Sequence, residues 1–264
     1  MWRRAAAAQE SAPPHVTSAP EIVESKEFGA VKSVKAEFAV PSVLSGSFFL
    51  KDDVRYKFDL GGGATMDMGV YALSAVRYFS SSEPEEILSA SAVGHPLDAK
   101  RIDRSMHAVY RMSGDVSAET YVDFSMPGRG PFGVFPRFFK TTAFIELEGG
   151  KIELNNFPIP HLWHTITIRP TSGPMKTEKV YKFESLGEDW WTTYRYQLEA
   201  FVAKVRGGQP QTWPSASEPL LQMTSVEKIY DKVRPLCSYA SFRFSYGHSH
   251  AGMPNRPPSS YRTA

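Results

Sequence analysis

Two side chains with acid-base chemistry lie four residues apart, just after the glycine run Gly61–Gly63. The segment reads GGGATMDMGVYALSAVRYF, and its carboxylate Asp67 and phenol Tyr71 fall on a predicted amphipathic helix over 64–79. An α-helix repeats its face about every 3.6 residues, so the two groups point the same way near the helix start. The glycines would let another backbone or a flat ligand approach closely. This pattern suits proton transfer, although a tight strand-to-helix turn capped by Asp67 would explain the glycines and the carboxylate equally well.

Two other segments contain candidate ligand contacts. His161 and His164 in PHLWH are close enough in sequence to share a metal ion, but no third ligand is evident nearby. Zinc sites normally show a third or fourth ligand, so we predict no metal site and interpret the pair as packing or substrate-facing histidines. The segment WWTTYRYQLEAF is rich in aromatic residues, which on a helix mostly fill the core. Tyr194 or Tyr196 could instead face a pocket.

The pattern G-x-G-x-x-G occurs once, as GRGPFG over 128–133. A dinucleotide-binding turn must open a helix whose N-terminus receives the pyrophosphate. Here Pro131 and the following VFPRFFKTTAFIEL lead into another strand instead. We therefore predict a loop between strands, and no cofactor-binding residue in this chain.

The composition is that of an ordinary globular domain of 264 residues with a formal net charge of +2. Acidic and basic residues are mixed along the chain, which argues against a nucleic-acid partner or an anionic membrane surface. No apolar run is long enough to span a membrane. The single cysteine, Cys237, cannot form an intrachain disulfide, so a reducing compartment and a cytoplasmic location are expected.

Residue patterns predict an α+β fold. Alternating apolar residues predict a first strand over 31–40, and helical periodicity predicts helices over 21–28, 64–79, 191–206 and 219–232. Gly149 and Gly150 in FIELEGGKIEL predict a hairpin whose turn has positive φ values. Further strands are predicted over 86–93, 106–112, 118–126, 142–148, 151–155, 165–169 and 178–183. We expect an open-faced, mixed and mostly antiparallel sheet with helices on one face.

The run LGGGATMDMGVYALSAVRYF resembles the GGG-x-x-x-D-x-G-x-(H/Y) signature of the glucose-fructose oxidoreductase, inositol dehydrogenase and MocA family. A tyrosine at the last position of the signature resembles the branch that contains the dimeric dihydrodiol dehydrogenases and the fungal-type NADP-dependent D-xylose dehydrogenases. Stretches such as EPEEILSASAV, FIELEGGKIELNNFPIPHLWHTITI and EDWWTTYRYQLEAFVAKVRGGQPQTWPS resemble it too. Together the similar stretches cover nearly everything from about Glu21 to Lys232, and then the last dozen residues.

The resemblance implies a site and a function. In that family an N-terminal Rossmann domain binds NAD or NADP and contributes a catalytic lysine from a Glu-Lys-Pro motif. This sequence contains no Glu-Lys-Pro motif. Tyr71 would transfer the proton at the sugar hydroxyl or carbonyl, and Asp67 would orient the substrate or tune that base. Gly62, Gly63, His161 and Tyr194 are candidate substrate contacts. The open sheet face would form a homo-oligomer interface.

The expected organisation is a leader over 1–19, a C-terminal-type substrate and catalytic domain over 20–233, an insertion over 234–251 and a tail over 252–264. Either a retained intron or a genuine surface insertion explains the third segment. We expect the substrate half of an NADP-preferring sugar or trans-dihydrodiol dehydrogenase, inactive without a Rossmann domain and not binding the cofactor alone. The alternative is a non-catalytic binding or oligomerisation module produced by truncation.

Overall fold

The computed structural model describes residues 19–48, 52–179, 187–188, 190–210 and 213–233. The predicted leader, except for residue 19, lies outside this part of the chain, as do the predicted insertion over 234–251 and the tail over 252–264. Among the described residues, no helix is long and apolar enough to cross a membrane.

The described helices and strands follow the predicted order closely. The helices are α1 (Ala19–Glu24), α2 (Ser42–Phe48), α3 (Val70–Phe79), α4 (Thr193–Val205) and α5 (Glu218–Val233). The strands are β1 (Val31–Pro41), β2 (Pro84–His95), β3 (Asp98–Met112), β4 (Ser117–Met126), β5 (Lys140–Leu147), β6 (Gly150–Asn155), β7 (Thr165–Pro170) and β8 (Lys176–Glu178). Part of the last predicted strand, over 180–183, lies outside the described residues.

The strands form one sheet in the order β2-β3-β4-β1-β5-β6-β7-β8. All neighbours are antiparallel except β1 and β4, which run parallel. A parallel pair needs a long crossover, and here the chain between β1 and β4 contains the glycine run, α3 and the β2–β3 hairpin. The predicted α+β fold with a mixed, mostly antiparallel sheet is therefore confirmed.

One face of the sheet packs against α3 and α5. Leu73 and Val76 of α3 are buried, as are Val226 and Ile229 of α5. They pack with inward-facing strand residues that include Val34, Ala36, Met106, Val122 and Ile145. Each fully buried side chain of this size contributes about 1.5–3 kcal/mol relative to exposure, so this layer fixes α3 on the sheet.

The opposite face of the sheet carries charged side chains that pair across neighbouring strands. Lys140 donates to Glu37 at 2.7 Å, Lys35 lies 2.9 Å from Glu119, and His107 lies 2.9 Å from the same carboxylate. Cross-strand pairs of opposite charge stabilise a sheet modestly. Within the described residues this face is open, as expected from the sequence.

A buried arginine joins the two core helices. Arg77 of α3 is only 3% exposed, and its Nε and Nη2 donate to the two oxygens of Glu83 at 2.6 and 2.7 Å. Its Nη1 lies 2.9 Å from Glu218 at the start of α5 and also donates to Gln222. Gln222 in turn donates to the backbone carbonyl of Val70 at 2.8 Å. The cluster fixes α5 against the helix that follows the glycine run.

The β5–β6 hairpin forms as predicted, but the expected glycine conformation is wrong. Leu147 pairs with Gly150, so Glu148 and Gly149 form the turn. Neither Gly149 nor Gly150 has a positive φ. A Cβ at Gly149 would lie 3.2 Å from the Phe28 carbonyl oxygen, and one at Gly150 would lie 2.8 Å from that of Arg169. These glycines are needed for close backbone packing rather than for a left-handed backbone conformation.

The prediction that the aromatic helix fills the core is wrong for α4. No side chain of this helix is buried, and four of its apolar residues at helical spacing are at least half exposed: Tyr194 by 64%, Leu198 by 50%, Phe201 by 55% and Val205 by 70%. Helical periodicity identifies an apolar face but not what covers it. Within the described residues, nothing buries that face.

Candidate active site

The glycine run closes a tight loop at the start of the α3 segment. Gly62 and Gly63 donate to the backbone carbonyls of Lys57 and Arg55, both at 2.9 Å. A Cβ at Gly62 would lie 2.6 Å from the Arg55 carbonyl oxygen, and one at Gly63, where φ is +134°, would overlap the carboxylate of Asp103. Both glycines are buried. They are therefore required by the chain's own packing, and a substrate contact at either glycine stays a prediction.

Asp67 lies on a π-helical turn rather than on a regular α-helix. This turn covers Thr65–Gly69 and continues into α3 at Val70. A π-turn is rare and occurs frequently at functional sites. Asp67 does not cap the helix; its carboxylate accepts a hydrogen bond from Nε of Arg55 at 2.8 Å. The capping explanation of Asp67 is therefore wrong.

Arg55 is the residue of this site that the sequence reasoning missed. Its guanidinium contacts Asp67 and also donates to Asp53 at 3.1 Å, and its side chain is 36% exposed. The signal was present: DDVRYKFDLGGG places a cation between acidic residues just before the glycine run. A guanidinium next to the predicted acid-base pair was not expected, because Arg55 is twelve residues from Asp67 in sequence.

Tyr71 presents a phenol at the protein surface beside this ion pair. The residue is 50% exposed, and its ring packs edge-on against Phe38 at 6.1 Å between centroids. Partial burial raises the pKa of the Tyr71 phenol above its usual value, and the neighbouring Tyr194 and Asp67 act in the same direction. Arg55 opposes them, because a cation favours the phenolate.

The structure brings Tyr194 and His161 towards the same site. Nδ1 of His161 lies 2.8 Å from the Thr193 hydroxyl, and its ring packs edge-on against Tyr194 with 5.3 Å between centroids. Tyr194 is close enough to Tyr71 to influence its pKa. Asp67, Tyr71, Tyr194 and His161 thus belong to one neighbourhood, although they come from distant parts of the sequence.

The two histidines of PHLWH do not converge on one ion. His161 contacts Thr193, whereas His164 is buried and its Nδ1 lies 2.8 Å from the carbonyl oxygen of Pro160. In the part of the chain that the structure describes, no group of three potential ligands could hold a metal ion.

The GRGPFG segment forms a loop between β4 and β5, as predicted. A short 3-10 turn covers Pro131–Gly133, Arg129 bridges to Phe135, and the chain then enters β5. No helix begins there to receive a phosphate group. The residues of this segment therefore do not fit a dinucleotide-binding turn.

We expect the charges around Tyr71 to control its titration in opposite directions. Arg55→Met removes the cation and leaves Asp67 unpaired, so the pKa of Tyr71 should rise further; Asp67→Asn removes a negative charge and should lower it. The measurement is a pH titration of the 13C-labelled Tyr71 ring by NMR, assigned with Tyr71→Phe. Lys57→Met is the matched control, since Lys57 pairs with the exposed Asp52. Equal titrations in both site variants would contradict this geometry.

Comparisons with known proteins relate the chain to oxidoreductases. Residues 16–146 match the family model described as the GFO/IDH/MocA C-terminal domain. Over 223 residues the chain is 26% identical to D-xylose 1-dehydrogenase (NADP(+)) 2 of Haloferax volcanii. This match covers 83% of this chain and 58% of that protein. A 98-residue match, 31% identical, covers 37% of this chain and 27% of dTDP-3,4-didehydro-2,6-dideoxy-alpha-D-glucose 3-reductase of Saccharopolyspora spinosa.

The fold is also that of solved oxidoreductase structures. Aldose-aldose oxidoreductase of Caulobacter crescentus, complexed with glycerol, matches with a TM-score of 0.62 and 17% identity, over 82% of this chain and 57% of that one. The 3-ketoreductase KijD10 of Actinomadura kijaniata matches with a TM-score of 0.60 and 18% identity, over 81% of this chain and 57% of that one. The chain thus spans less than two thirds of the length of these relatives. By the family model, residues 16–146 of this chain belong to the C-terminal domain of the GFO/IDH/MocA family.

Proposed function

We propose that this chain provides the substrate-binding and proton-transferring part of an NADP-linked sugar dehydrogenase or trans-dihydrodiol dehydrogenase. The observation that carries the proposal is the half-exposed phenol of Tyr71 beside the Asp67–Arg55 ion pair. The relatives named above act on D-xylose and on a dTDP-linked deoxy sugar, which favours a sugar as the substrate class. Tyr194 and His161 would contact that substrate from α4 and from the segment before β7.

In this proposal each side chain has a separate task. A phenol is protonated at neutral pH, and the raised pKa of Tyr71 maintains that state, so the group can donate its proton to the oxygen of a carbonyl being reduced. In the oxidative direction the phenolate accepts the hydroxyl proton, so oxidation should increase with pH. Asp67, held by Arg55, can accept a hydrogen bond from a neighbouring sugar hydroxyl and fix its orientation.

A nicotinamide cofactor supplies or accepts the hydride in this class of reaction. GRGPFG opens no helix. The glycine run over 61–63 does precede a helical segment, but the N–H groups of Gly63 and Thr65 already donate to the Arg55 carbonyl and to the Asp103 carboxylate. The described residues therefore do not fit its pyrophosphate. We therefore propose that a nucleotide-binding domain outside these residues holds the cofactor and completes the site. The exposed apolar side of α4 leaves room for such a neighbour.

The test is a fusion in which the part of the Haloferax volcanii relative outside the matched region is joined ahead of residue 19. The fusion should bind NADP and oxidise an aldose or a trans-dihydrodiol, whereas the chain alone should bind neither NAD nor NADP by calorimetry. A micromolar dissociation constant for the unfused chain would contradict the assignment of the cofactor to another domain.

The competing function is a non-catalytic binding or oligomerisation module. The open face carries charged side chains, including Lys35, Glu37 and Glu119, whose ion pairs lie within this chain, and we propose that this face forms a homo-oligomer contact. A fusion that folds and binds NADP but turns over no aldose or diol would favour this second function.

A further inference from the structure

One buried carboxylate is not used by the proton-transfer scheme. Asp103 of β3 has no exposed surface, and burial raises the pKa of its carboxyl despite the hydrogen bonds that it accepts. Burying a carboxylate is costly unless it is well hydrogen-bonded. Asp103 accepts from the backbone N–H of Thr65 at 2.8 Å, from the Thr65 hydroxyl at 2.7 Å and from the Tyr230 hydroxyl at 2.8 Å.

Two of these hydrogen bonds come from the first residue of the π-turn. Thr65 begins that turn, and Asp67 lies two residues later. The preceding residue, Ala64, makes no side-chain hydrogen bond that could cap the turn. The N-terminal N–H groups of a helical segment have no partner within it. Asp103 provides that partner from the sheet, and Tyr230 of α5 holds its second oxygen.

The same contacts explain why position 63 must be glycine. A Cβ at Gly63 would overlap the Asp103 carboxylate and would lie 3.1 Å from the Tyr230 hydroxyl oxygen. Gly63 also donates to the carbonyl of Arg55 and accepts from the N–H of Asp67 at 3.0 Å. Asp103 therefore contacts the short segment that contains Gly63, and the backbone of Gly63 is hydrogen-bonded to both Arg55 and Asp67.

We propose that Asp103, held by Tyr230, is a positioning residue that fixes the π-turn and thereby the placement of Asp67 and Tyr71 for proton transfer. This inference rests on the proposed function for its catalytic consequence. Asp103 touches neither Asp67 nor Tyr71 through a hydrogen bond of its own; it acts through Thr65. Catalysis is sensitive to such placement, because a displacement of about 1 Å can reduce the rate about 100-fold.

The first experiment uses the chain by itself and needs no activity. We expect Asp103→Asn and Tyr230→Phe to shift the NMR signals of the 13C-labelled Tyr71 ring and to change its titration. Tyr110→Phe is the matched control, because it also removes a hydroxyl from a buried hydrogen bond, that of Tyr110 with Thr120 at 2.6 Å in the same sheet. Tyr230→Phe keeps the experiment decisive if Asp103→Asn does not fold.

The second experiment uses the fusion that binds NADP. Tyr230→Phe should lower kcat by about 10- to 100-fold with little change in KM, whereas Tyr110→Phe should leave kcat near that of the parent. A fusion with no turnover would contradict the proposed function while the NMR result still tests the positioning role. Tyr71 signals and titration that are the same in Tyr230→Phe as in Tyr110→Phe would overturn the inference.

Discussion

Replacing Tyr71 by Phe should abolish most of the turnover of the NADP-binding fusion. The change removes one hydroxyl from a residue that is 50% exposed, so the fold and the free energy of unfolding should change little. Loss of a general acid-base group typically lowers the rate by about 10²- to 10⁴-fold. We therefore expect kcat to fall by that factor while the dissociation constant for NADP stays the same, both measured on the purified fusion.

Two variants make this result specific. Tyr78→Phe removes the same group from the same helix, roughly 10 Å further along its axis, and should retain the parent kcat. Asp67→Asn should reduce kcat less than Tyr71→Phe if Asp67 orients the substrate rather than transferring the proton. Parent-like turnover in a folded Tyr71→Phe fusion would leave Tyr71 without a catalytic role.

The largest effect on stability should come from Arg77. Arg77→Met keeps an apolar stem but leaves Glu83 and Glu218 without their cation in a partly buried setting, where these side chains are 33% and 21% exposed. Breaking a buried pair by removing one partner typically costs about 3–5 kcal/mol. Urea unfolding of the chain, followed by circular dichroism, should show a loss of this size in the free energy of unfolding.

The control for Arg77 is an exposed arginine on strand β3. Arg111 and Glu86 form a pair of 2.6 Å in which both side chains are about half exposed. Exposed pairs of this kind contribute about 0–1 kcal/mol, so Arg111→Met should have a small effect. Similar losses for the two arginine variants would show that the Arg77 cluster does not hold α5 on α3.

Much of the fold could be predicted because its signals are local. Alternation in VKSVKAEFAV predicted β1, and the FIELEGGKIEL pattern predicted the hairpin, since strand period and turn residues are properties of a few consecutive positions. The parallel pairing of β1 with β4 was not predicted. That pairing joins Ser33 with Ser117, and no local pattern specifies a partner so far along the chain.

The candidate site was predicted in part for the same reason. Asp67 and Tyr71 lie on one turn and were found from their spacing, whereas Arg55 and Asp103 reach them only through the folded backbone. The glycines were correctly recognised as permitting a close approach. The approaching groups observed in the structure are the chain's own carbonyls and the Asp103 carboxylate, and sequence spacing does not reveal such contacts.

The most direct test of the proposed function is the transfer of deuterium from a substrate to the cofactor. The fusion is mixed with NADP and with D-xylose deuterated at C1, or with a deuterated trans-dihydrodiol, and the recovered cofactor is examined by mass spectrometry. We predict one deuterium in the reduced cofactor from at least one substrate, with formation slowed about 10²- to 10⁴-fold in Tyr71→Phe. A folded fusion that binds NADP but transfers no deuterium from either class, or transfers it equally fast with Phe at position 71, would contradict the proposal.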